Sequence, residues 1–254
     1  MRMKTQLLSI LGAGTLLAGG AIADTTLVYG DNSGQETTRM LLTADAVKVS
    51  TNDETNTDVI FNGNKTEFVV VNHDEKSFMV FGEKEIEALS DVSAMMDRMI
   101  EKQMANVPEA QREQMRGMME SMIKSQMPKQ AAAPVYEKSG NSKEYNGYSC
   151  DVVVKTVEGQ SSGDFCVTGY GQLDVAPAEY AVISKFMKIA EKMASQFGQD
   201  NSMNFASIGE VLPVYFSDGG QTGVLMDVDN GQIDATLLTV PEGYKQQELP
   251  KEMF

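Results

Sequence analysis

The hydrophobic repeat of this chain changes period twice, and that constrains the fold more than any single motif. From Thr25 to about Phe81 the stretches TTLVY, TRMLLTADAVKVST, DVIFNG and TEFVVVNHDEKSFMVF read as strands divided by Gly, Asn and Asp clusters. Phe61, Phe68, Val70, Phe78 and Val80 follow the two-residue repeat of a sheet, and Asn62-Gly63-Asn64 and Asn72-His73-Asp74-Glu75 sit where hairpin turns belong. From Glu83 the repeat becomes helical, with Ile86, Leu89, Val92, Met96, Met99 or Ile100, and Met104 on one side. Asn106-Val107-Pro108 interrupts it, and Pro108 suits the first turn of a second helix with Glu109 near its positive end. Met115, Met118, Met119, Met122 and Ile123 then form one apolar stripe, stopped by Pro128 and the AAAP linker.

Strands resume at Tyr136, through the turn Tyr145-Asn146-Gly147-Tyr148 and the segments SCDVVVKTV and DFCVTGYG. APAEYAVISKFMKIAEKMASQFG is a further helix with Pro177 at its start and Gly198 past its end. Its buried face is predicted as Tyr180, Ile183, Phe186 or Met187, Ala190, Met193 or Ala194, and Phe197. LPVYFSDGG, TGVLMDVDNG and DATLLTVPEGYK close the chain as strand, turn, strand, turn and final segment.

The N-terminus predicts export. MRMK is basic, LLSILGAGTLLAGGAIA is apolar and rich in small residues, and Ala21-Ile22-Ala23 has the form signal peptidase prefers. The expectation is a signal peptide over residues 1–23 and a periplasmic or secreted protein from Asp24, soluble after cleavage and with no stable membrane span. Removing Arg2 and Lys4 leaves 19 basic against 36 acidic side chains, a net charge of −17. That balance argues against nucleic acid and anionic headgroups as partners, since both need a positive surface.

Cys150 and Cys166 are the only cysteines, and an even pair in an exported chain predicts a disulfide. A three-residue loop at Val157-Glu158-Gly159 would set Thr156 against Gln160 and Cys150 directly against Cys166. A turn centred on Ser161-Ser162 would instead carry Cys150 past Tyr170. The first register is the one expected. Its bond would close a loop of about 15 residues, a stabilisation of about 3 kcal/mol.

Catalytic patterns are not found. His73 is the single histidine and is expected as a solvent-exposed turn residue without a clustered partner. No G-x-S-x-G, P-loop or G-x-G-x-x-G occurs. Asp227, Asp229 and Asp234 around Asn230-Gly231 lack the glutamate a calcium loop requires, and a type I′ hairpin turn accounts for them. The reading is of a non-enzyme with no cofactor.

What remains is the cluster of nine methionines between positions 95 and 127. Cu(I) favours thioethers, and M-x-x-M occurs at Met96/Met99, Met115/Met118 and Met119/Met122. Any amphipathic helix using Met as its apolar residue produces the same spacing. Met is also the flexible side chain of surfaces that adapt to varied apolar neighbours, whereas closed cores favour Leu and Ile. Packed core and adaptable cover both stay open.

The order of VNHDEKSFMVF, VPEAQREQMRGMM, YEKSGNSKEYNGYSCDVVV, DFCVTG, KFMKIAEKM and LLTVPEGYKQQEL resembles an uncharacterised family of exported bacterial proteins, a domain of unknown function with Met-rich central helices. That order is also similar to the lipoprotein-carrier (LolA/LolB-like) group, in which a curved antiparallel sheet is covered by helices over an apolar cavity. The resemblance implies an α+β fold: a strongly curved antiparallel half-barrel with helices packed on one face. It implies one such domain over 24–254, with a Met-rich helical hairpin inserted at about 84–127.

By analogy it also implies a lipid or acyl chain held between sheet and helices. Met95, Met96, Met99, Met104, Met115, Met118, Met119 and Met122 would form one wall, and Phe186 with Met187 the facing side. Docking of another envelope protein is the alternative, and a Met-based Cu(I) site the third.

Overall fold

The computed structural model describes residues 24–52, 55–105, 107–126, 131–196, 198–199 and 203–249. The predicted signal peptide, Met127 and Phe197 lie outside the described residues, as do the side chains of Met95 and Met99.

Six strands come first: β1 (Thr25–Gly30), β2 (Glu36–Leu42), β3 (Ala46–Thr51), β4 (Thr57–Asn62), β5 (Glu67–Asn72) and β6 (Ser77–Phe81). The turn residues explain their spacing. Asn62 and Asn72 each close a four-residue loop by accepting, through the side-chain oxygen, the N–H of Lys65 and of Glu75, both at 2.9 Å. Within the long predicted strand TRMLLTADAVKVST, Thr43 breaks the run: its hydroxyl accepts the N–H of Ala46 at 3.0 Å and makes a corner between β2 and β3.

Three helices follow: α1 (Glu83–Leu89), α2 (Val92–Met104) and α3 (Glu109–Gln126). The expected continuous helix from Glu83 to Met104 is divided at Ser90-Asp91, because the Asp91 carboxylate caps a new start by accepting the N–H of Ala94 at 2.9 Å.

The second group of strands is β7 (Val135–Tyr145), β8 (Tyr148–Val157), β9 (Gln160–Gly169), β10 (Val211–Asp218) and β11 (Gln221–Asp229), with α4 (Pro177–Gln196) between β9 and β10. Asn146-Gly147, Glu158-Gly159 and Gly219-Gly220 all have positive φ at both central residues, the two-residue hairpin geometry that matches strand twist. A two-residue strand, β12 (Lys245–Gln246), ends the fold.

All twelve strands form one open sheet in the order β12-β6-β5-β4-β3-β2-β1-β11-β10-β9-β8-β7. Every pairing is antiparallel except β12 on β6. Two meanders are therefore joined along β1 and β11, and the helices α1 to α3 connect strands near opposite ends of the sheet. Among the described residues no helix is long and apolar enough to cross a membrane.

One core cluster gathers Leu27, Tyr29, Leu42, Val47, Phe61, Phe68 and Leu225 of the sheet with Val182 and Ile183 of α4. Phe165 and Val167 of β9 point the other way, into a second cluster with Tyr136, Val153 and Phe205. Both faces of β9 are thus covered.

Cys150 and Cys166 are bonded, with Cα atoms 5.3 Å apart. The register differs from the expected one. The β8–β9 loop has two residues, not three, since Val157 faces Gln160, and a bulge next to Thr156 shifts the pairing again. Cys166 consequently faces Val152, and the disulfide runs diagonally to Cys150. Asn230-Gly231 is also not a type I′ turn. Neither residue has positive φ, and the chain continues into a short 3₁₀ turn, Ala235–Leu238. The segment is held instead by the residue preceding β1: the Asp24 carboxylate accepts the N–H of Ile233 at 3.0 Å.

Candidate functional site

The described apolar side chains of the α2–α3 hairpin divide between an interior and an exterior. Ile100 and Met104 are buried, and Met96 and Met119 are half-buried. Arg116 clips the two helices, donating to Glu120 at 3.1 Å and to Asp97 at 3.3 Å. The clefts between the helices are small and mix charged with apolar side chains. One, of about 280 Å³, is lined by Glu101, Met104, Ala105, Arg112, Glu113 and Arg116.

Three methionines of α3 face outward. Met115 is 40 % exposed, Met118 62 % and Met122 52 %, at positions i, i+3 and i+7 on one side of α3. Val135, Met226 and Leu237 are also exposed, but each on a different element. Among the described residues only α3 gathers several exposed large apolar groups on a single face.

Phe186 and Met187 sit elsewhere. Phe186 packs its ring 5.9 Å from that of Phe61 and 5.6 Å from that of Phe68, and Met187 packs on the same sheet cluster. They belong to the contact between α4 and the sheet, while the outward methionines of α3 meet solvent. The predicted lining is divided between two places in this structure. Beside α4 a cleft of about 410 Å³ lies between residues 131–134 and Lys188, Glu191 and Lys192. Charged stems line one side of it and alanines the other.

A polar cluster escaped the sequence reading. His73 is not a free turn residue: its Nε2 lies 2.9 Å from Asp58 Oδ2 and its Nδ1 2.9 Å from the Tyr244 hydroxyl. Lys48 Nζ reaches the same Asp58 oxygen at 2.7 Å. Burial alone would raise the Asp58 carboxyl, but hydrogen bonds from Lys48, Ser50 and His73, with the charge of Lys48, outweigh it and hold the group below its ordinary range.

Carboxylate, imidazole and hydroxyl are in the order of a nucleophile-activating triad. The hydroxyl here, however, fastens the final segment: Lys245 N–H donates to Lys76 O at 2.9 Å and Gln247 N–H to Phe78 O at 2.8 Å, laying β12 on β6. Tyr244 stands 171 positions from His73, so only the tertiary fold brings them together.

A second charged pair is buried deeper. Lys155 has no exposed surface, and its ammonium lies 2.8 Å from Asp218 Oδ2. Among the described residues no three His, Cys, Asp or Glu side chains come together as a metal site.

No protein-family model matches the chain, and no curated protein matches it. Two solved structures give weak fold similarity. PNGF-II, in its C2 crystal form, aligns at 8 % identity and TM-score 0.41, covering 89 % of this chain and 31 % of PNGF-II. An uncharacterised conserved protein from Thermus thermophilus aligns at 6 % identity and TM-score 0.42, covering 89 % of this chain and 91 % of that one. The chain spans under a third of the length of PNGF-II, and at such scores neither likeness carries an argument about function.

Proposed function

We propose that this is a non-enzymatic protein of the bacterial envelope that binds a hydrophobic ligand, a lipid or acyl chain, through its Met-rich hairpin. The observation that carries the reading is the outward stripe of Met115, Met118 and Met122. Fully burying a Met side chain is worth about 1.5–3 kcal/mol, so leaving three on one helix face forgoes stability that a Leu-filled contact with the sheet would provide. Flexible, polarizable thioethers suit a neighbour whose shape varies, as acyl chains do. In this proposal the open sheet curls into a half-barrel and the helices lie over one face, with the hairpin as the adaptable side of the site.

The test is native mass spectrometry of the protein from an exporting host, purified without detergent, with solvent extraction of each species. The expected result is a co-purifying lipid or fatty acid. It is lost when Met115, Met118 and Met122 are changed together to Ser and kept when they are changed to Leu. A bare mass in the wild type would overturn the ligand reading.

A second reading, docking of another envelope protein, is favoured by one feature: the stripe lies open along the helix and is not folded over a cleft. Copper is separated from both by the Leu variant, which breaks the Met115/Met118 and Met119/Met122 pairs and would weaken Cu(I) binding while leaving an apolar surface.

A further inference from the structure

We propose that the α-ammonium group released by cleavage between Ala23 and Asp24 is the partner of the buried carboxylate of Glu179, so that processing completes the fold. Glu179 is the third residue of α4, and its Oε2 reaches back to the N–H of Ala176 at 2.7 Å, half of a capping box. The same oxygen accepts from Thr25 Oγ1 at 3.0 Å. Oε1 has no hydrogen-bond partner, although neither Glu179 nor Thr25 has any exposed surface.

A buried carboxylate with an orphaned oxygen is costly unless a cation faces it. The charge acting on it is of like sign, from Asp24. Burial, opposed by hydrogen bonds from Ala176 and Thr25 and reinforced by Asp24, leaves the carboxyl above its ordinary value.

The nitrogen of Asp24 belongs to the residue just before Thr25, whose hydroxyl holds this carboxylate. It lies within about 3.6 Å of the Thr25 nitrogen, the span of one residue, and the residue is tethered by its side chain to Ile233. In the precursor that nitrogen is a neutral amide. Signal peptidase adds water across the Ala23–Asp24 bond, leaving a carboxylate on Ala23 and an ammonium on Asp24. In the proposed pairing the new cation lies between its own carboxylate and that of Glu179. This pairing depends on cleavage at the predicted position and is independent of what the methionines bind.

The experiment compares three full-length mature chains: one starting at Asp24, one retaining Ala23, and the Asp24 form carrying Glu179→Gln. The exported protein is first checked by intact mass, and a native start other than Asp24 would overturn the proposal. The Asp24 form is expected to melt several degrees above the Ala23 form, and Glu179→Gln to erase the benefit of the free start.

A second measurement needs no variant. The α-amine of the Asp24 form should titrate above the ordinary range of about 7.7–8.0, so that its acylation at pH 7 is slower than that of an ordinary α-amine. An ordinary amine, or equal melting of the Asp24 and Ala23 forms, refutes the pairing whatever the methionines bind.

Discussion

Helices α3 and α4 carry apolar stripes of similar length and end in opposite environments. Ile183 of α4 is fully buried, with Val182 beside it and the Phe186 ring among Phe61 and Phe68, whereas α3 turns Met115, Met118 and Met122 to solvent. Their attachments differ in kind. α4 begins at Pro177, is capped by Glu179, and is bonded to the β4–β5 loop by Lys185, which donates to Gly63 O at 2.8 Å and Thr66 Oγ1 at 2.7 Å. A side chain at Gly63 would press on Val182 at 3.1 Å, so the loop stays bare where the helix crosses.

α3 is clipped to α2 by Arg116, whose partners Asp97 and Glu120 are substantially exposed. Such surface pairs contribute about 0–1 kcal/mol. A stripe shows that a helix has an apolar side. A complementary surface decides whether that side is buried.

The contrast can be broken by substitution. Ile183→Ala in α4 should cost about 2–5 kcal/mol in urea unfolding, the range for truncating a buried aliphatic side chain. A loss under about 1 kcal/mol would mean that α4 is no better packed than α3. Replacing Cys150 and Cys166 together by Ser tests the wall behind α4, because both cysteines belong to its core cluster. The expected loss is about 3 kcal/mol, read as a lower urea midpoint under non-reducing conditions. The smallest effect is expected for Met118→Ser, within about 0.5 kcal/mol of wild type, as for surface changes generally. A larger loss would show that the α3 stripe is covered in solution.

The sequence carried the strands and helices well because their periods are local. Asn62, Asn72 and Asn146-Gly147 are turn chemistry that can be read in a few residues. Errors arose where one residue changes a register or a distant segment intervenes. The bulge next to Thr156 moves Cys166 opposite Val152 without altering any periodicity. Asn230-Gly231 looks like a turn, yet Asp24, near the other end of the chain, pulls the following segment aside. His73 and Tyr244 are ordinary residues until β12 docks on β6. Of the proposed apolar site, the Met stripe of α3 was visible as a period and its exposure was not. Phe186 and Met187 pack on the sheet, and no local signal in the sequence distinguishes a helix seated on a sheet from one facing a cavity.

The seam between β1 and β11 carries a kinetic consequence. It lies in the interior of the sheet and pairs Thr26 with Asp229, so its two sides come from opposite ends of the chain. A chain emerging N-terminus first, from a ribosome or through a membrane, can form β1 to β6 as local hairpins but cannot close the seam until β11 has been delivered. Contacts so distant in sequence form slowly, and until they do β1 presents an open strand edge. The topology thus leaves the sheet incomplete while the chain is being delivered and postpones its locking to the last strands to arrive.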